Sequence, residues 1–199
     1  MIKYHILKKQ ALELILQTNM YSFLPGLSSQ EGAIKLVLEY ELERLNPREM
    51  WVLLIFCLKV EKKDVEEFLR GWRIPLKEIR EIQLILHYLN KRFVTGWSTY
   101  DLYTATKNIF VSSEILYLVI SGIEGNDTIQ HYIRMYEGLP IKERTAMDLT
   151  GTDLMAWFNK SGGPWVKELL LKAEQAILDG RITNNKKNIK EWLMECNHN

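Results

Sequence analysis

The chain has 199 residues, enough for one sizeable domain or two small ones, and its 47% apolar share is that of a packed globular protein rather than a disordered one. Basic and acidic residues number 26 and 25, a formal net charge of +1, so no broad basic excess points to a polyanion and any such partner must meet local patches. The two cysteines, Cys57 and Cys196, lie far apart, which excludes a disulfide framework and a cysteine-built zinc site.

The N-terminal MIKYHILKKQ has no long apolar core before a small-residue cleavage site, so it does not read as a signal peptide. The most apolar run, 50–58, is far too short to span a bilayer. A reducing cytoplasm is the expected home.

Helical periodicity starts at once, over 4–17, with Ile6 or Leu7, Ala11, Leu14 and Ile15 on one side. Beginning so close to a helix without an N-cap, the chain reads as cut from a longer one. Phe23-Leu24-Pro25-Gly26-Leu27 then punctuates strongly. A second helix is expected over 30–44, with Ile34, Leu38 and Leu42 on one face. Asn46-Pro47-Arg48-Glu49 reads as a capping box with proline at the first helical position. The helix it opens, MWVLLIFCLK, is apolar nearly all round and belongs in the core.

Asp64-Val65-Glu66-Glu67 is another capping signature, leading to Phe68, Leu69 and a stop at Gly71. Past Pro75 comes the most regular stripe, Ile79, Ile82, Leu86, Leu89 and Phe93, with His87 and Tyr88 beside it. A coiled coil would give the same stripe, but this one is short for it. Ser98 with Asp101, Ser112 or Ser113 with Glu114, and Asn126 or Asp127 each predict a further helix start. Gly138-Leu139-Pro140 is the expected domain boundary. Beyond it come three shorter helices: one after Thr152, one from Pro164, and one after Thr183-Asn184 that turns Ile189, Trp192 and Leu193 inward. No alternating strand pattern, internal repeat or low-complexity segment is found. The fold class is all-α, a multi-helical body followed by a small helical tail domain.

A catalytic constellation is not visible. Two-metal phosphoryl transfer needs adjacent carboxylates, and the six aspartates include no Asp-x-Asp; Asp148 and Asp153 are the nearest couple. There is no Walker loop, dinucleotide fingerprint, HExxH or nucleophile elbow. The four histidines are scattered, and His87 reads as a satisfied core or rim residue. No catalytic residue and no metal ligand is assigned. Of the six tryptophans, Trp97 and Trp165 are the candidates for an exposed face that could stack on a base; core packing explains the others.

The most informative stretch is 149–180, LTGTDLMAWFNKSGGPWVKELLLKAEQAILDG. Pro164 opens its second helix, Glu168 and Lys172 are spaced to pair, and Gly180 closes it. Gly162 and Gly163 before that helix, with Lys160 and Lys167 on either side, offer free amides, a positive dipole end and two cations to a phosphate. The same residues also describe a simple tight turn flanked by solvated lysines. Lys142 and Arg144 are further candidates for phosphate contact, and Trp165 for base stacking.

Three runs carry a resemblance: Leu139-Pro140-Ile141-Lys142; Leu149-x-Gly151-x-Asp153-Leu154-Met155; and Gly162-Gly163-Pro164-Trp165-Val166-Lys167-Glu168-Leu169-Leu170. With Asp179-Gly180-x-Ile182-Thr183-Asn184-Asn185-Lys186 and Trp192-Leu193, they resemble the C-terminal tail of bacterial class II CCA-adding enzymes. Leu14-Ile15-Leu16-Gln17-Thr18 and Phe23-Leu24-Pro25-Gly26-Leu27 resemble that family's junction of neck and body, with Asn19 where glycine is common. The middle matches as helices of similar layout.

The resemblance implies a tRNA nucleotidyltransferase that builds the 3′ CCA end from CTP and ATP with Mg²⁺. It also implies a division into a neck/body remnant (1–27), a helical body (28–138) and a helical tail (139–199). The family's β-sheet head, with its metal-binding carboxylates, and its base-selecting neck residues have no counterpart in these 199 residues. The chain alone is therefore expected to be inactive and to hold no cofactor, with tRNA as partner, head and neck domains in cis or in trans, and a homodimer left open. CC-adding, A-adding and poly(A)-adding relatives share similar C-terminal helices. A different class, a helical protein-interaction module with the 79–93 stripe as its contact surface, is the remaining alternative.

Overall fold

The computed structural model describes residues 2–196, with side chains from Lys8 onward. Among the described residues there is no strand. Ten α-helices run in order: α1 (Ile2–Gln17), α2 (Glu31–Leu38), α3 (Pro47–Leu58), α4 (Val65–Gly71), α5 (Leu76–Val94), α6 (Thr99–Ser121), α7 (Asp127–Glu137), α8 (Gly151–Phe158), α9 (Pro164–Leu178) and α10 (Lys186–Cys196). No helix of the described residues is long and apolar enough to cross a membrane.

The chain divides into two compact units, one of residues 1–96 with 107–130 and one of residues 97–106 with 131–199. The division is interleaved in sequence. Residues 97–106 and 131–138 go with the second unit, which the punctuation at Gly138-Leu139-Pro140 does not encode.

In the first unit the core is built on α3 and α5. Asn46 caps α3 by accepting from the Arg48 and Glu49 amides, and Glu49 returns a bond to the Asn46 amide, so the expected capping box is formed. Val52, Leu53 and Ile55 of α3 meet Ile79, Ile82, Ile85 and Leu89 of α5, all at most 1% exposed. Phe93, at the end of the stripe, is 42% exposed. Gly26 is held at φ 70°, and a Cβ there would lie 2.6 Å from the Phe68 ring, so the turn at Pro25 needs glycine for both conformation and space.

Three expectations are corrected here. The apolar side of α1 is covered only in part: Ile15 is half-buried, but Leu14 is 55% exposed and Ala11 is exposed, while Ile6 and Leu7 lie outside the described side chains. The second helix ends at Leu38 rather than Arg44, because the chain turns to bury Leu42 and Leu45 and to place the Arg44 guanidinium on the Ile123 carbonyl at 3.2 Å.

The third concerns Ser112, Ser113 and Glu114, which start no helix and lie inside α6. Ser113 donates back to the Ile109 carbonyl, Ser112 donates to Glu49 at 2.7 Å, and Glu114 is fully buried against Arg92 at 2.8 Å. Capping-type residues far inside a helix are satisfied by i−4 carbonyls and tertiary partners instead. The real interruption is at Thr106, whose φ of 65° and ψ of 157° are non-helical. Asp64 likewise precedes α4 without making a side-chain cap bond.

Candidate nucleic-acid interface

In the second unit, Leu149, Leu154, Leu169, Ala173, Ile177, Ile189 and Leu193 form one core, all 8% exposed or less. Thr150 and Asp153 make a capping box that starts α8 at Gly151, two residues before a start after Thr152, and Asn159 closes the helix at φ 47°. The loop 160–163 then leads into α9 with Pro164 in its first turn and Gly163 at the N-cap. No side chain caps this end; the Val166 amide donates to the Gly163 carbonyl at 3.1 Å, and no side-chain acceptor meets the dipole's positive pole.

The glycines of this loop are there for space. Gly163 is extended (φ −179°), a conformation any residue adopts, but its Cβ would sit 3.2 Å from Trp165 Cδ1. A Cβ on Gly162 would meet Met155 Sδ at 3.3 Å, and one on Gly151 would meet Val166 at 3.1 Å. Such packing lets α8 and α9 approach closely.

Five of the eight sequence candidates are brought together. Lys160 and Trp165 line a cleft of about 370 Å³ with Phe158, Glu168, Lys172 and Met194. Gly162 and Gly163 form its adjoining loop, and Lys167 stands exposed in the first turns of α9. Trp165 is half-buried: its ring meets Phe158 edge-on at 5.9 Å and its Nε1–H donates to the Ser161 carbonyl at 3.0 Å. Trp97 is also half-buried, tilted against Tyr132 at 6.3 Å.

Lys172 was not singled out from sequence as a contact. Its signal is present, since Trp165, Glu168, Leu169 and Lys172 recur at i, i+3, i+4, i+7 along one face. The expected Glu168–Lys172 ion pair is not among those of the described residues; both side chains face the cleft instead.

The remaining two candidates lie elsewhere in the unit. Lys142 is exposed, its ammonium 5.9 Å from the Tyr136 ring centre. Arg144 is committed: its Nε and Nη2 donate to the two oxygens of Glu174 at 3.0 and 2.7 Å, and Tyr103 donates its hydroxyl to the same carboxylate at 2.6 Å. Glu174 is 1% exposed. Burial pushes its pKa up, but the bonds from Arg144 and Tyr103 outweigh it and hold the carboxyl below the usual range. Burial and the carboxylate beside it drive the Tyr103 hydroxyl well above its ordinary value.

The other residues of the distinctive runs form a clasp. Asn184 accepts from the Asp148 amide and donates to the Ala146 carbonyl, both at 2.8 Å. Asp148 accepts the Lys186 amide at 2.9 Å, and the Lys186 ammonium reaches Asp153 at 2.7 Å. That ammonium and the Thr150 hydroxyl hold the Asp153 carboxyl below its ordinary range. The nearest aspartate couple is therefore spent on Lys186. Among the described residues no three His, Cys, Asp or Glu side chains are grouped to hold a metal ion.

The family model of tRNA nucleotidyltransferase domain 2 matches residues 45–193. The chain is 34% identical over 189 residues to the CCA-adding enzyme of Bacillus cereus strain 03BB102 and 33% identical over the same length to that of Bacillus anthracis. In each case the match covers 94% of this chain and 47% of the relative. The crystal structure of the Bacillus stearothermophilus CCA-adding enzyme in complex with CTP superposes with a TM-score of 0.89 at 31% identity, over 96% of this chain and 48% of that one. The chain thus spans about half the length of the curated relatives it matches.

Proposed function

Because this chain belongs to the tRNA nucleotidyltransferase domain 2 family, we propose that it grips tRNA and sets the 3′ end of that RNA for CCA addition. The observation that carries the proposal is the near-complete match of these 199 residues to one half of CCA-adding enzymes, in sequence and in fold. In this reading the nucleotidyl transfer itself, with Mg²⁺, CTP and ATP, belongs to residues outside this segment, and the 199 residues alone incorporate no nucleotide.

The gripping chemistry is that of shape recognition. Backbone amides at an uncapped helix start and a few lysines hold phosphates without reading bases. Lys160, the Gly162-Gly163 loop and Lys167 supply this at the α9 N-terminus, with Lys172 alongside. The half-buried Trp165, on the cleft lining, is the residue on which an unstacked base would stack. Lys142 is a peripheral phosphate contact, and Arg144 stands outside the gripping set because its fork is on Glu174.

Titrating tRNA by mobility shift across a salt series tests this. Binding at low salt that weakens with added salt supports it. Replacing Lys160 and Lys167 together by alanine weakens binding and flattens the log–log salt slope by up to roughly 0.9 per lost contact. Absence of tRNA binding at ~50 mM salt overturns the reading, and an unchanged slope in the double variant moves the contact away from this helix start.

A further inference from the structure

The stripe offered by sequence as a partner surface is core: Ile79, Ile82 and Leu89 are 0% exposed. The face of α5 that remains free is a different one, a quarter-turn around the helix. Arg80, Gln83, Leu84 and His87 recur on it at i, i+3, i+4 and i+7, and Leu84 is 46% exposed although it sits mid-helix. Opposite this face, the C-terminal turn of α3 and the residues after it contribute Phe56, Lys59 and Val60. Between them lies a groove of about 950 Å³, floored by buried Ile55, Val65 and Leu86.

Two properties of this groove define its occupant. The first is shape. From Arg80 to Asn90 the lining follows α5 for ten residues, about 15 Å at 1.5 Å per residue, which is the length of a three-turn helix. The second is charge. The ionisable side chains on the lining are Lys59, Lys62, Arg80 and His87, with no carboxylate among them. Lys59, Lys62 and Arg80 are outside every ion pair of the described residues, although the neighbouring Arg48–Glu81 and Lys63–Glu61 pairs show carboxylates close by in sequence. The groove thus pairs an apolar floor with a cationic rim.

We propose that this groove is a docking site for an acidic amphipathic helix of a protein partner. Its apolar side chains would enter between α3 and α5 over Leu84, and its carboxylates would meet Lys59, Lys62 and Arg80. This is the helix-in-groove mode of recognition, in which apolar anchors give affinity and the charged rim selects the partner. An RNA backbone satisfies the rim but leaves Phe56, Val60 and Leu84 wetted, so the apolar floor favours protein over nucleic acid. The site is independent of the phosphate-gripping helix start and goes beyond it.

The test uses the 199-residue chain and a fluorescein-labelled synthetic 14-residue peptide, with leucines at i, i+3, i+7 and i+10 and glutamates on the flanks, read by fluorescence anisotropy. A second peptide keeps the leucines and replaces every glutamate by lysine. The acidic peptide is expected to bind at least tenfold tighter than the lysine version. Leu84→Glu, at an exposed position that leaves the thermal melt unchanged, weakens the acidic peptide at least tenfold. The double substitution Lys59→Glu and Arg80→Glu reverses the order of the two peptides. Equal binding of the two peptides, indifference to Leu84→Glu, displacement of the acidic peptide by tRNA from this face, or a dimer of the chain that Leu84→Glu dissolves would each overturn the proposal.

Discussion

Arg144 separates two accounts of the same residue, one as a phosphate contact and one as a structural partner of Glu174. Arg144→Ala removes two charge-assisted bonds from a carboxylate that is 1% exposed, leaving only the 2.6 Å bond from Tyr103. Stripping one member from a buried ion pair costs about 3–5 kcal/mol. The arginine side chain is 47% exposed, so water reaches the vacated side, and we discount the cost to about 2–3 kcal/mol.

The pH dependence carries a sign that packing loss alone would not give. In the wild-type protein Glu174 lies below its ordinary range, so its contribution is present above about pH 5 and is lost as pH falls through the depressed value. In the variant burial is left largely unopposed, Glu174 rises above its ordinary range, and stability instead increases as pH falls from 7 toward 5. Urea unfolding followed by tryptophan fluorescence and by far-ultraviolet circular dichroism, at pH 7, 5.5 and 4.5, measures both. A loss under about 0.5 kcal/mol, within the range of an ordinary surface substitution, or parallel pH profiles for the two proteins, refutes the structural account. A loss of tRNA affinity without a loss of stability would restore Arg144 to the phosphate set.

Two further substitutions test the backbone geometry. Thr106 sits at φ 65° and ψ 157°, a region occupied almost only by glycine. Thr106→Gly is expected to raise unfolding stability by about 1 kcal/mol, the relieved strain of roughly 1–3 kcal/mol less the entropy glycine loses; a lower urea midpoint would refute it. Gly26→Ala must place a Cβ against the Phe68 ring in a left-handed conformation and is expected to cost about 2–3 kcal/mol. A melting temperature within a degree of wild type would show that the turn at Pro25 rearranges freely.

The helices and their caps were legible because their causes are short-range. Asn46 with Glu49, Ser98 with Asp101, and Pro164 with Gly163 act within three or four residues, and the Asp101 carboxylate does accept from Ser98, at 2.6 Å. Ser112 and Ser113 failed as helix starts for the converse reason. Their partners, Glu49 and the Ile85 carbonyl, lie 63 and 28 residues away, and no local pattern records them. The candidate site was legible as a cluster around Lys160 and Gly163, while the fate of Arg144 was not.

The amino-acid sequence by itself determined an all-α chain, the positions of most of its helix ends, and the runs that mark its family. Those runs are distinctive because the fold commits their residues: Gly151 to the Val166 contact, and Asp148, Asp153, Asn184 and Lys186 to one clasp. Only the tertiary structure decided which cations are free and which are spent, that Lys172 shares a cleft with Lys160, and that α5 keeps a second face open. The reason is physical. Periodicity and capping are written in neighbouring residues, whereas an ion pair or a cleft exists only once distant helices have packed.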